Sequence, residues 1–199
     1  MGTPPTSEVE PISSSVATDL VVANHYLHRR PPISFAFGLL DAGTIVGVCT
    51  FGTPPSRHAQ MSVCSDDPSI ALELNRLWID DGQPHGAATR FVSRCLRMLP
   101  PRIVFSYADT RAGHHGGVYR ALSWRYAGQT DEDRKTPRFD YVTPGGGHDR
   151  HTKASDPGVQ RVRRQPKHRY WTATGSQRQR RKLAAMCGWG DRPYPSTTT

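Results

Sequence analysis

A strand, a helix and a second strand follow one another in the middle of the chain, and this order most constrains the fold. Residues 71–79 (ALELNRLWI) and 103–107 (IVFSY) have strand-like patterns. The Ala-rich segment 87–99 between them carries apolar residues at helical spacing. Two strands joined through a helix can pair in parallel, so the sequence predicts an α+β fold, a single domain with a mixed central β-sheet flanked by helices.

The remaining elements are assigned from periodicity and from turn residues. We predict a helix at 16–27, a hairpin of strands at 35–40 and 44–51, a helix at 115–124, two further strands of the sheet at 138–143 and 168–174, and a helix at 176–186. Residues 1–15 are rich in Pro, Ser and Thr and are predicted to be disordered. A catalytic core at 16–143, a flexible basic connection at 144–166 and a strand and basic helix at 167–199 complete the predicted organisation.

The positive charge is concentrated near the C-terminus. The chain has 199 residues and a formal net charge of +9, but residues 150–199 hold 12 basic and 2 acidic side chains. This asymmetry favours a polyanionic partner, most simply DNA. The excess of Arg over Lys suits phosphate contacts, or it reflects a GC-rich genome. The predicted DNA-binding residues are Arg161, Arg163, Arg164, Lys167, Arg169, Arg178, Arg180, Arg181 and Lys182. Tyr170 and Trp171 lie among them, and we expect one of the two to pack in the core.

Nothing in the sequence predicts a membrane or secreted protein. No apolar run approaches the ~20 residues that cross a bilayer. No basic segment followed by an apolar one begins the chain, and the four cysteines lack a paired spacing. We therefore expect a reduced, cytoplasmic protein.

The segment between the third strand and its helix has the composition of an anion site. Glycine and small residues at a helix N-terminus let backbone N–H groups approach a pyrophosphate. Gln83, Gly86 and Ala88 in QPHGAA resemble the acyl-CoA loop of GNAT acyltransferases. This resemblance implies an acetyl-CoA or related acyl donor, held by these residues and by Asn75 of the preceding strand.

The segment GGVYRALSWRYAG resembles the late helix of the same superfamily. In those enzymes a Tyr at this place often protonates the departing thiolate of CoA, and Tyr119 occupies it here. In the alternative interpretation, Tyr119 and Trp124 are core aromatics.

Four segments taken together resemble a narrower family. NHYLHRRPP, ELNRLWIDD, SYADTRAGHHGGVYRALSWRYAGQT and KHRYW are similar to segments of the Mom proteins of bacteriophages. The resemblance implies a GNAT-like enzyme that converts adenine N6 in double-stranded DNA to N6-carbamoylmethyl adenine, protecting phage DNA from restriction in the bacterial cytoplasm. A conventional acyl-CoA-dependent N-acetyltransferase and a non-catalytic DNA-binding protein are the alternatives. A homodimer is a further possibility for the oligomeric state.

The implied product attaches to N6 through a CH2 carbon, which plain acyl transfer does not achieve. A redox-active metal would make this chemistry easier to understand. Imidazole, phenolate and carboxylate ligands suit iron, and the first choice is His25, Tyr26 and Asp109. The other candidates are His28, His114 and His115. In the alternative interpretation, these side chains are ordinary hydrogen-bonded surface residues.

The third strand and the end of the fourth carry the other candidate catalytic groups. Glu73 and Asp109 are candidate bases or orienting groups for the adenine N6, or each forms an ordinary ion pair with Arg. Arg76 and Ser106 complete the catalytic set. Strand alternation predicts that Leu74, Arg76 and Trp78 share one face, with Glu73, Asn75 and Leu77 on the other. Reaching N6 in a duplex requires extrusion of the base or a distorted groove.

Overall fold

The computed structural model describes residues 7–144 and 152–195. The strands in this part of the chain are β1 (Glu8–Pro11), β2 (Phe35–Asp41), β3 (Thr44–Gly52), β4 (Ala71–Ile79), β5 (Ile103–Asp109), β6 (Arg125–Gln129), β7 (Phe139–Val142), β8 (Gln160–Arg163) and β9 (Lys167–Ala173). The helices are α1 (Ser14–Asn24), α2 (Arg57–Val63), α3 (Ala87–Met98), α4 (Gly117–Ala121) and α5 (Gln177–Met186). Short 3-10 turns lie at Pro68–Ile70 and Thr110–Ala112.

Seven strands form one mixed sheet in the order β1-β2-β3-β4-β5-β9-β6. β4 and β5 pair in parallel, while the other neighbouring strands of this sheet are antiparallel. Parallel strands need a crossover connection, which α3 supplies. The predicted strand, helix and strand therefore form the centre of the sheet.

Helices cover both faces of this sheet. α3 presents Phe91 and Cys95 to one face, and α5 contributes Leu183 to the other. α1 packs Val21 against β2 and β3 in a third cluster. Burying each large apolar side chain stabilises the fold by about 1.5–3 kcal/mol, so these contacts hold the helices on the sheet. No helix within the described residues is both long and apolar enough to span a membrane.

β9 lies inside the sheet although it comes near the C-terminus. It pairs with β5 on one side and with β6 on the other. Tyr170 is 0% exposed and Trp171 is 1% exposed, and they pack on opposite faces. The expectation that only one of these aromatics packs is therefore wrong, because an interior strand buries both of its faces.

β4 contains a β-bulge at Asn75, which has no partner in β3. The extra residue reverses the alternation of side chains. Leu74 and Leu77 consequently contact the same apolar cluster, whereas Trp78 packs in a different one. The predicted assignment of β4 side chains to faces is wrong beyond the bulge for this reason.

The periphery differs from the sequence expectations in several places. β7 pairs with β8 in a separate two-stranded sheet, so the segment at 138–143 does not join the main sheet as predicted. Residues 160–163, which were predicted to be part of a flexible connection, form the strand β8. β1 pairs with β2 within the segment predicted to be disordered. α4 is shorter than the predicted helix at 115–124, and β6 and α2 were not predicted. Edge strands and short helices are stabilised by neighbours distant in sequence, which local patterns do not reveal.

Candidate active site

A cavity of about 460 Å³ opens where β4 and β5 separate. The two strands pair only from Ala71 to Glu73, although both continue for several residues beyond that point. The ends of both strands, α4 with the loop before it, and the segment after α1 surround the cavity. The predicted site residues in its wall are His25, Tyr26, Glu73, Asn75, Arg76, Ser106, Tyr119 and Lys167. The fold thus brings together residues more than a hundred positions apart in the sequence.

Ser106 and Tyr119 form a buried hydrogen-bonded pair in the cavity wall. The Ser106 hydroxyl donates to the carbonyl oxygen of Leu74 at 2.7 Å. Leu74 directly follows Glu73, the last residue of β4 that pairs with β5. The Tyr119 hydroxyl is 2.8 Å from Ser106 Oγ and donates to it, because the serine proton is already used. Burial raises the pKa of Tyr119, so the phenol keeps its proton.

Glu73 is the carboxyl group in this cavity with the most altered acidity. Burial raises its pKa to about 7, while the positive charges of Arg76 and Lys167 oppose the shift. Arg76 donates to the Asn75 carbonyl oxygen at 2.6 Å, and its Nε is buried without a partner among the described residues. Glu73 therefore changes protonation near neutral pH, as a general acid or base must.

Asp109 lies at the end of β5, and each oxygen of its carboxylate contacts a donor. One oxygen is 2.7 Å from Nζ of Lys167, and the other accepts the backbone N–H of Arg111 at 3.1 Å. Lys167, predicted to contact DNA phosphates, thus lines the cavity and faces Asp109. The cross-strand register of β5 and β9 pairs these two residues.

The Nδ1 atom of His25 accepts a hydrogen bond, whereas the second ring nitrogen of a metal-bound histidine normally donates one. The donor to His25 Nδ1 is the backbone N–H of Leu27, at 3.1 Å. Burial and the charge of Arg76 lower its pKa to about 4, so the ring is neutral and its proton resides on Nε2. A metal-bound histidine normally donates its second N–H to a carbonyl or carboxylate.

As it is hydrogen-bonded here, His25 has no free lone pair for a metal, and Lys167 and a backbone N–H already contact the Asp109 carboxylate. No group of three or more His, Cys, Asp or Glu side chains within 7–144 and 152–195 converges as a ligand set. This arrangement does not support iron bound by His25, Tyr26 and Asp109.

Asn75, predicted to contact the cofactor, instead connects three segments. Its side-chain oxygen accepts the Thr50 hydroxyl proton at 2.6 Å. Its amide donates to the Pro32 carbonyl oxygen at 2.7 Å. The bulge that places Asn75 here thereby positions the segment after α1 against β3 and β4.

Gln83 and Gly86 lie between β4 and α3 and Ala88 lies in the first turn of α3, all outside the wall of the cavity. Gly86 is the N-cap of α3 with φ +79°, a left-handed conformation that glycine adopts without strain. No side chain caps this helix, and the Ala87 N–H donates to the Pro84 carbonyl oxygen at 3.0 Å. The pyrophosphate site at these residues stays a prediction.

The residues predicted to bind DNA fall into two groups. Arg178, Arg180, Arg181 and Lys182 are exposed on α5. The others lie on or between β8 and β9 and are partly engaged within the protein: Arg164 pairs with Asp140, Arg161 lies over the Phe139 ring, and Arg169 lies over Trp189. Only the α5 group is wholly exposed, so it is the clearer surface for phosphates.

Sequence comparison identifies the family of the chain. A model of the Mom protein family matches residues 6–190. The chain belongs to the Mom protein family. The resemblance read from the four segments is thereby confirmed. A curated relative, the methylcarbamoylase mom of Escherichia phage Mu, is 31% identical over 127 residues. The alignment covers 60% of this chain and 53% of the phage Mu protein, so it spans about half of that relative.

Solved structures extend the comparison to the fold. An acetyltransferase-like protein from Acinetobacter baylyi ADP1 has a TM-score of 0.51 and 7% identity, covering 89% of this chain and 97% of that one. A GNAT-family acetyltransferase from Bacillus cereus ATCC 10987 has a TM-score of 0.47 and 14% identity, covering 86% of this chain and 99% of that one. The Mom-family chain has the GNAT-like α+β fold predicted from its sequence.

Two features of the cavity were not predicted from the sequence. Lys167 is one of many basic residues near the C-terminus, and only the pairing of β5 with β9 brings it to Asp109. The bulge at Asn75 had a detectable signal. The apolar positions of ALELNRLWI shift by three residues between Leu74 and Leu77, which breaks strand alternation.

Proposed function

We propose that this Mom-family protein modifies the N6 amine of adenine in double-stranded DNA to N6-carbamoylmethyl adenine, with an acyl-CoA as the donor. The observation that supports this most is a carboxyl group, Glu73, with a pKa of about 7 at the junction of β4 and β5. The exocyclic amine is a poor nucleophile and must lose a proton when it is substituted. A carboxylate that titrates near neutrality is a suitable acceptor.

The cavity walls suggest how the other residues contribute. Tyr119 keeps its proton and is held by Ser106, so it is available as a hydrogen-bond donor and acid toward a leaving thiolate. Arg76 and Lys167 supply positive charge near Glu73 and favour its ionised form. Positioning contributes heavily when the nucleophile is weak, and the fixed partners of these side chains provide it.

The acyl donor is assigned to the side of the cavity that leads to α3. The uncapped start of α3 at Gly86, with Gln83 and Ala88 nearby, would hold the pyrophosphate. Beyond Glu73 the edge of β4 no longer pairs with β5, and its backbone groups other than the Leu74 and Asn75 carbonyl oxygens, which Ser106 and Arg76 contact, would face the amide groups of the donor's arm. When bound, an acyl-CoA would supply the two carbons and lose its thiol. The N6–CH2 bond and the amide additionally require an ammonia-level nitrogen donor and a two-electron oxidant as co-reactants.

The exposed basic residues of α5 are proposed to contact DNA phosphates. Changing Arg180 and Arg181 to Glu should weaken duplex binding roughly 10- to 100-fold near 0.1 M salt. The slope of the logarithm of the binding constant against the logarithm of the salt concentration should become shallower by about two. Fluorescence anisotropy with a labelled duplex over a salt series measures both quantities.

The matched control for this double variant changes Arg57 and Arg97 to Glu. These exposed residues lie on α2 and α3, and the control has the same net charge. Equal losses of affinity in the two variants would show that only net charge matters and that α5 is not the contact surface.

A mass measurement tests the proposed reaction directly. The protein is produced in bacteria, the cellular DNA is digested to nucleosides, and the nucleosides are weighed. We expect carbamoylmethyl-deoxyadenosine, and none from cells producing the variant Glu73→Gln. Acetyl-deoxyadenosine would instead indicate a conventional acetyltransferase, and unmodified DNA that still binds the protein would indicate a non-catalytic DNA-binding protein. The proposed role is protection of phage DNA from restriction in the host cytoplasm.

A further inference from the structure

Tyr26 presents an open aromatic ring at the edge of the cavity. Its side chain is 45% exposed, although it lines the same cavity as Glu73 and Ser106. One face of the ring stacks on His25, with ring centroids 4.4 Å apart and an interplanar angle of 30°. The His114 ring lies perpendicular to it, with ring centroids 5.1 Å apart. Nearly half of Tyr26 nevertheless remains exposed to solvent.

This ring does not contribute to the core. Tyr26 belongs to none of the three apolar clusters of the described residues. The two other tyrosines of the cavity wall do: Tyr119 is 8% exposed and lies in the largest cluster, and Tyr107 packs against the second. A large aromatic side chain that is left half in solvent beside a cavity gains little stability from its position. Its position is therefore explained better by a ligand than by folding.

The segment that carries Tyr26 is held firmly. The His28 backbone N–H donates to the His25 carbonyl oxygen at 2.8 Å, closing a turn around Tyr26. Further along, Asn75 donates to the Pro32 carbonyl oxygen, and the Ser34 N–H donates to the Phe51 carbonyl oxygen at 2.7 Å. Gly52 permits this approach, because a Cβ there would collide with the Pro32 carbonyl. The ring is thus preorganised rather than attached to a loose loop.

We infer that the exposed part of the Tyr26 ring stacks on the purine base of the nucleotide to be modified, with His114 beside it in the cavity wall. The inference rests on the proposed function and adds how the acceptor base is held. An N6 amine inside a duplex is shielded by base pairing, so the base leaves the stack to react. A purine then loses its stacking partners, and an exposed tyrosine ring replaces one of them.

The energetic effect of such a contact is known in order of magnitude. Base-aromatic stacking contributes about 1–3 kcal/mol per base, which corresponds to roughly 5- to 150-fold in affinity. Stacking depends on the ring and not on its hydroxyl group. Phe at position 26 should therefore preserve the contact, and Ala should abolish it.

Binding to two single strands separates stacking from phosphate contacts. One probe is a short oligo(dA), and the other is an abasic strand of the same length and charge. Anisotropy titrations at one salt concentration should show that the wild-type protein prefers oligo(dA) by roughly 5- to 150-fold. Tyr26→Ala should lose this preference while binding the abasic strand as before, and Tyr26→Phe should keep it.

The matched control is Val16→Ala, which removes another exposed apolar side chain, 41% exposed, from the start of α1. This variant should behave as the wild type with both strands. The inference is overturned if Tyr26→Ala keeps the preference for oligo(dA), or if it loses affinity for both strands equally.

Failure of this inference is distinguishable from failure of the proposed function. If cellular DNA is modified by the wild-type protein and Tyr26→Ala keeps the preference for oligo(dA), only the stacking contact is wrong. If no nucleoside is modified but the preference exists and disappears in Tyr26→Ala, the stacking contact stands and the proposed reaction is wrong.

Discussion

Replacing Glu73 with Gln should lower the rate of adenine modification by about 10²- to 10⁴-fold, the usual contribution of a general base. Gln retains the size of Glu73 and removes only its ability to accept a proton. In the wild-type protein the rate should rise as pH increases through about 7, because Glu73 loses its proton there. The variant should lack this rise. Quantifying the modified nucleoside over a pH series with purified protein and duplex measures both effects.

The same substitution should stabilise the folded protein at high pH. Burial raises the pKa of Glu73 from 4.5 to about 7, so between these values the folded state holds a proton that the unfolded chain has lost. This group therefore makes the folded state less stable as pH rises from about 4.5 to 7. Gln does not titrate, so the Glu73→Gln variant does not lose this stability. The difference between the free energies of unfolding of the variant and the wild type should therefore be about 2 kcal/mol larger, in favour of the variant, at pH 8 than at about pH 5.

Glu10→Gln is the matched control, since Glu10 is exposed on β1 and far from the cavity. It should leave both the rate and the pH dependence of unfolding unchanged. A Glu73→Gln protein that is as active as the wild type would eliminate Glu73 as the proton acceptor. Urea unfolding at the two pH values ensures that a loss of activity is not a loss of folded protein.

A chain that ends at Pro166 should not fold. It lacks β9, which pairs with both β5 and β6, and it loses Tyr170 and Trp171 from the core. Removing a single large buried side chain costs about 3–5 kcal/mol, and the loss of two aromatics and of two strand pairings exceeds the 5–15 kcal/mol stability of a typical domain. Circular dichroism and urea unfolding should show no cooperative transition.

Two other chains make this test specific to β9. A chain that ends at Pro195 keeps every described strand and helix and should unfold as the full-length protein does. The Arg180→Glu and Arg181→Glu double variant should also fold, because both side chains are exposed. Cooperative unfolding of the chain ending at Pro166 would contradict the position of β9 in the sheet.

Local sequence patterns were sufficient where an element's own residues determine its structure. The hairpin of β2 and β3, the strands β4 and β5 and the helix α3 follow the predicted segments closely. Each has a clear alternation or a helical stripe and is bounded by Gly, Pro or Asp residues. α5 begins one residue after the Ser that starts the predicted helix, because Ser176 and Gln179 form a capping box there.

Local sequence patterns gave wrong predictions for strands whose position depends on pairing with residues distant in the sequence. The segment at 138–143 has a strand pattern, yet a pattern does not specify which strand it pairs with, and β8 rather than the main sheet is its partner. The Glu8–Pro11 segment is too short and too rich in Pro to be predicted, and only the free edge of β2 stabilises it as a strand. Both errors concern strands whose hydrogen bonds are made to distant residues.

The sequence by itself predicted the α+β class, the order of the central elements and several residues of the cavity wall, Glu73, Ser106 and Tyr119 among them. Glu73 and Tyr119 were chosen because their segments resemble those of GNAT acyltransferases. Only the tertiary structure decided how these groups act. Burial sets the pKa of Glu73, a hydrogen bond from Leu27 makes His25 a donor, and the register of β9 brings Lys167 to Asp109. Desolvation and cross-strand register depend on what the rest of the chain packs against a residue, and no local pattern contains that information.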